Sequence, residues 1–150
     1  RNDDDLLKTG QRFAPMAFLD MIALKVKFAR LKEIIRSRQK IKALYERELS
    51  GVKGLTIFKD RPKTESVAQN FVVCCEQRDK LIDFLTAKDI MVQKPYLSLH
   101  QMKVFAGIKK RFPVSEWYSA TALHLPLYSF MTEEKAGLVA ASCRSFFQKR

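Results

Sequence analysis

Long apolar runs are missing from this chain. None approaches the roughly 18 uncharged residues that a bilayer-spanning helix needs, and the opening residues RNDDDLLKTG are polar and acidic, unlike a secretory signal. The sequence therefore reads as that of a soluble, cytoplasmic protein with no membrane partner. Cysteine is scarce. Of the three present, Cys74 and Cys75 are neighbours that would point to opposite faces of a strand, and Cys143 lies far along the chain. Neither a disulfide framework nor a metal-ligand spacing follows, and reduced, buried thiols are expected. The two histidines, His100 and His124, have no cysteine or carboxylate at ligand spacing, so no metal site is expected. A GxGxxG turn, a Walker loop and a G-x-S-x-G elbow are all absent, which removes the common nucleotide-cradling and acyl-transfer motifs. No internal repeat, low-complexity tract or catalytic constellation stands out.

What the chain does have is enough apolar material for one domain: 150 residues, 47% of them hydrophobic. Acid is the charge in short supply. Twenty-eight Lys and Arg against sixteen Asp and Glu leave a net charge of +12, which suits nucleic acid, a phosphorylated ligand or an acidic partner.

The periodicities predict an α+β fold in which a small, mostly antiparallel sheet of about three strands packs with helices, preceded by one long helix. Pro15 opens that helix, which could run to Ser50 before Gly51 and Gly54 stop it, with Leu24, Phe28, Leu31 and Ile35 as an apolar stripe. At the α-helical rise it would span roughly 54 Å, so it must bend or project. Its basic residues, from Lys25 to Arg47, read as a solvated surface or, in the alternative, as one that meets phosphate or nucleic acid. Leu55 to Phe58, Val67 to Cys75 and Ile90 to Val92 read as strands, and Leu81, Ile82 and Leu85 mark a short helix.

The stretch FPVSEWYSATALHLPLYSFMTEEKAGLV, residues 112 to 139, carries a finer pattern. Pro113 can open a helix because its missing N–H is unneeded there, and Trp117, Ala120 and Leu123 recur at helical spacing. Pro126 forces extended geometry, making Leu125-Pro126-Leu127-Tyr128 a linker with apolar side chains turned inward. Thr132 is a good N-cap, Glu133 and Glu134 suit the helix dipole, and Val139, Cys143 and Phe146 give the last helix an inward stripe.

These motifs, in this order, resemble the C-terminal end of the DegT/StrS-type sugar aminotransferases, pyridoxal-phosphate enzymes of the aspartate aminotransferase fold. Phe112, Pro113 and Glu116, then His124 to Leu127 and Met131 to Glu134, fall on the family's closing helix, extended return and final helix. Tyr96-Leu97-Ser98-Leu99-His100 looks like the family's "HY-x-PLH" loop, with Pro95 and Ser98 departing from it, and Asp89 stands where a left-handed Gly is usual. GQRFAPMAFLDMIALKVKFARLKEII and the preceding RNDDD resemble the family's interdomain segment.

The resemblance implies that residues 1–150 are one C-terminal small domain including the long connecting helix, about residues 15–50. The large domain, with its Schiff-base lysine, would lie before Arg1. The intact enzyme would be a homodimer moving an amino group from an amino acid to a nucleotide-linked keto-sugar, and this chain alone would not hold pyridoxal phosphate. The family's "GYN-x-R" loop reaches toward the partner's cofactor phosphate; here Arg12 replaces its Asn and Ala14 its Arg, leaving Arg12 as the candidate phosphate contact in trans. Lys94, Tyr96 and His100 are the candidate substrate contacts. The alternatives are a non-catalytic dimerisation or regulatory paralogue and a basic nucleic-acid-binding module. Against the last, no RNA or DNA motif is present and the aromatics sit at core spacing.

Overall fold

A computed structural model describes residues 18–105, 107 and 110–148. Arg12, Ala14 and Met16 lie outside the described residues. The chain divides into two compact units, residues 1–33 and 34–150. In the first, α1 (Phe18–Ala29) has no buried residue. The predicted helical stretch is interrupted at Arg30, whose amide bonds the Lys27 carbonyl three residues back and whose guanidinium pairs with Glu33 at 3.1 Å, and α2 (Leu31–Leu49) follows. Of the apolar stripe, Leu24, Phe28 and Leu31 are exposed and Ile35 is half-buried. A helix with Phe18, Leu19, Met21, Ile22 and Val26 all facing outward is apolar on more than one face, the pattern of a helix made to be covered.

The second unit is built on a three-stranded antiparallel sheet in the order β1 (Thr56–Ile57), β2 (Phe71–Cys74), β3 (Ala122–Leu125). Thr56 faces Cys74 across the first pair, and Phe71 faces Leu125 across the second. Because side chains alternate along β2, Phe71, Val73 and Cys75 enter one core. That core is closed by Ile41, Leu44, Tyr45 and Leu49 of α2, Leu81 and Leu85 of α3 (Arg78–Thr86), and Ala136, Val139, Ala140 and Cys143 of α5 (Glu133–Gln148). Each fully buried Leu or Val there contributes roughly 1.5–3 kcal/mol relative to exposure. α4 (Pro113–Thr121) leads directly into β3.

The first strand is shorter than the expected Leu55 to Phe58, and three further strand assignments differ from the sequence expectation. Val67 to Asn70 do not join β2, because Ala68 takes a left-handed φ of 48° and its amide turns to the Ser66 hydroxyl at 3.1 Å. Ile90 to Val92 form no strand. The Ile90 amide instead bonds the Leu85 carbonyl at 3.0 Å while Asp89, at φ 58°, bonds Thr86, a Schellman closure of α3 that commits this backbone to the helix end. Only Gln93 reaches the sheet, through a bridge to His124. The third strand is therefore Ala122–Leu125, so Leu123 belongs to it rather than to the preceding helix, and it stops where Pro126 can no longer donate.

The rest of that stretch follows its physical signals. Pro113 occupies the first turn of α4, Thr132 Oγ1 accepts the Lys135 amide at 3.3 Å at the head of α5, and Asp89 takes the left-handed conformation its position requires. All three cysteines are free and buried. Burial pushes the Cys75 thiol up to about 11 and Cys143 up to about 12, which keeps both protonated and unreactive.

Candidate functional site

The loop after Gln93 and the first turn of α4 build one apolar groove of about 1000 Å³. Its wall begins with Ser98, whose hydroxyl donates to the Ser115 carbonyl at 2.8 Å and so docks the loop on α4. A short 3-10 turn, Leu99–Gln101, then carries His100 inward. Its Nε2 lies 3.3 Å from Glu116 Oε1, and its ring sits 4.9 Å from the Phe112 ring at a 45° tilt. Glu116 also accepts the Phe112 amide at 2.9 Å, closing the start of α4, and the Arg111 guanidinium at 2.8 Å.

This arrangement fixes a charge. The Arg111 hydrogen bond, then the Phe112 amide, pull Glu116 down to about 2 against the opposing effect of desolvation, with the nearby Arg111 and His100 charges adding to the fall. Glu116 is thus an anion throughout the physiological range, and a protonated His100 would find its counter-ion in place. The geometry positions an imidazole beside an aromatic wall, suited to hydrogen bonding a polar ligand whose apolar part lies on Tyr96, Phe58 or Tyr118.

Of the sequence-predicted contacts, Tyr96 and His100 line this groove together, Tyr96 being 93% exposed. Lys94 does not line it. Its Nζ sits 2.9 Å from Asp79 Oδ1, which also accepts Arg78 Nε at 2.9 Å, so Lys94 is tied to the head of α3. Arg12 lies outside the described residues. Sequence spacing missed the His100–Glu116 pair, which are sixteen positions apart and meet only because Ser98 docks the loop on α4. The available signal was the Glu four residues after Phe112, a position from which a carboxylate can reach back to the amide at a helix start.

Comparison with known proteins gives one consistent answer. The model of the DegT/DnrJ/EryC1/StrS aminotransferase family matches residues 19–144. The erythromycin biosynthesis sensory transduction protein EryC1 of Saccharopolyspora erythraea is 28% identical over 131 residues, covering 85% of this chain and 36% of that protein. Among solved structures, S. venezuelae DesV in complex with a ketimine intermediate superposes with a TM-score of 0.81 at 25% identity, over 84% of this chain and 35% of that one. The aminotransferase TlmJ from Streptoalloteichus hindustanus gives a TM-score of 0.78 at 24% identity, over 83% and 35%. The chain thus spans about a third of the length of the relatives it matches.

Proposed function

Because the chain belongs to the DegT/DnrJ/EryC1/StrS aminotransferase family, we propose that it is the small domain of a pyridoxal-phosphate sugar aminotransferase that moves an amino group from an amino acid to a nucleotide-linked keto-sugar. The observation that carries this reading is the family match over residues 19–144 together with the superposition on DesV. The described residues do not fit the cofactor by themselves. None of the described lysines is buried, and the most enclosed, Lys42, is a structural cation: burial opposes its charge, but hydrogen bonds to Asp60 and Glu46 outweigh that and raise its pKa. A lysine that condenses with an aldehyde needs the opposite, a neutral amine in a pocket.

The cofactor and its lysine therefore belong to a large domain, and this chain's part is binding. His100, held by Glu116 and Phe112, offers a ring N–H to a sugar hydroxyl or carbonyl, and Tyr96 offers a flat apolar surface to a nucleobase. The +12 charge attracts a pyrophosphate-bearing substrate. Arg12 supplies a phosphate contact to the second subunit of a cytoplasmic homodimer, while Lys94 is left as a rim charge held by Asp79. The test is the full-length gene product, assayed for pyridoxal absorbance and for amino transfer from a panel of amino acids to nucleotide-linked keto-sugars. Absence of both overturns the reading.

The second reading is a non-catalytic regulatory paralogue, favoured by the name of the relative from Saccharopolyspora erythraea, a sensory transduction protein. Cofactor absorbance without amino transfer, with His100 resonances still responding to the nucleotide sugar, selects it.

A further inference from the structure

A second cavity opens beside the groove, and nothing in the proposed reading uses it. Five segments converge on it: the Lys53-Gly54-Leu55 turn, the end of β2 with Gln77, α3 at Lys80 and Phe84, the side of α4 at Trp117, and the last turns of α5 at Phe146 and Phe147. It encloses about 940 Å³. Its floor is aromatic and already ordered, with Phe146 set edge-on to Phe147 at 5.0 Å and tilted against Phe84 at 5.4 Å. Gly54 shapes the wall: at φ 82° it turns the chain so closely that a Cβ there would meet the Phe147 ring at 3.3 Å.

The rim has the opposite chemistry. Lys53 and Lys80 stand at the mouth, both exposed, and neither pairs with an acid among the described residues, whereas Lys42, Arg78, Lys94, Arg111 and Arg144 all do. Glu76 is the rim's one acid, leaving a net positive mouth. Gln77 makes no side-chain hydrogen bond to the head of α3, so its amide is available. Cys74 and Cys75 close the floor as neutral thiols and bring no negative charge.

We infer that this cavity is a small-molecule site for a planar aromatic ring bearing one anionic group, a carboxylate or a phosphate ester. The ring rests against Trp117 and Phe147, the anion lies between Lys53 and Lys80, and Gln77 reads a polar edge. The inference holds whether or not the chain serves amino transfer. Trp117 borders both this cavity and the groove of His100, so a variant in the groove is needed to tell binding at the two apart.

The chain's single tryptophan makes the test direct, since it gives one indole N–H resonance. Phenyl phosphate, benzoate and benzyl alcohol are titrated against the full chain, with affinities from calorimetry. Phenyl phosphate or benzoate shifts the Trp117 resonance and binds at least tenfold tighter than the alcohol, and whichever anion binds better identifies the class. Lys53→Glu with Lys80→Glu weakens it at least tenfold, Phe147→Ala weakens it in a chain that still folds, and Leu99→Ala, in the groove, leaves it within twofold. Equal affinity for benzyl alcohol, no response at millimolar probe, an unaffected Lys53/Lys80 variant or an equal loss in Leu99→Ala each overturns the assignment.

Discussion

The Tyr45 hydroxyl donates a 2.8 Å hydrogen bond to the Pro126 carbonyl, tying the C-terminal part of α2 to the point where β3 ends. The Tyr45 side chain is fully buried, and its ring lies 5.0 Å from Phe71 at the start of β2, so one residue joins a helix, a strand and a linker.

Tyr45→Phe keeps the ring and strands the Pro126 carbonyl, so a loss of about 1–2 kcal/mol is expected in urea unfolding. Tyr45→Ala removes the ring as well and costs about 3–5 kcal/mol. Equal losses for the two variants would show that the hydroxyl, not the packing, dominates.

The head of α5 gives a second, smaller effect. Thr132→Ala removes the acceptor of the Lys135 amide and lowers stability by about 1 kcal/mol, while Thr132→Ser stays near the parent. The urea midpoints of the two variants separate them.

Glu116 predicts an acid limb. Its folded pKa, about 2, lies below the ordinary carboxylate value of 4.5, so its contribution is present above pH 4.5 and is lost as pH falls toward 2. Glu116→Gln removes that part of the slope between those limits. An unchanged acid limb would place the slope elsewhere.

The thiols predict an alkaline one. Cys75 and Cys143 have folded pKa values raised by burial above the ordinary 9.0, so the unfolded chain ionises first and stability declines above pH 9. At pH 8 the folded chain should take up almost no aromatic disulfide reagent, and the chain in urea should take up three equivalents. Rapid labelling of the folded chain would contradict the burial.

α1 predicts association. Leu19, Ile22 and Val26 are all exposed, with Leu19 at 77%, and contiguous apolar surface of this kind marks an interface. Sedimentation should show concentration-dependent self-association that Leu19→Glu with Val26→Glu abolishes. A stable monomer at high concentration would remove the need for a cover.

The strong local signals are the legible ones. Pro113 acts through its own backbone and Thr132 through a hydroxyl that reaches an amide three residues on, and each stands where its chemistry puts it, while the left-handed Asp89 follows from the family pattern. The strands were less legible because their limits were set from outside: Ala68 turned its amide to a neighbouring hydroxyl, and Ile90 gave its amide to a helix end, neither of which strand propensity reports. The site was half-legible. Tyr96 and His100 stood out as a polar-aromatic loop, but their grouping with Glu116, and the capture of Lys94 by Asp79, depend on contacts between segments far apart in sequence.

The outer edge of β3 is sealed, and by three unrelated means. His124 exchanges both backbone bonds with Gln93, at 2.8 and 3.2 Å; the Ala122 amide is held by the Tyr118 carbonyl; and Pro126 has no donor, while its carbonyl is occupied by Tyr45. A foreign strand arriving there finds no open row of amides to copy, and the opposite edge, β1, is only two residues long. Assembly at this sheet is therefore written in side chains, which mutation can tune residue by residue, and not in backbone ladders, which would accept almost any extended peptide.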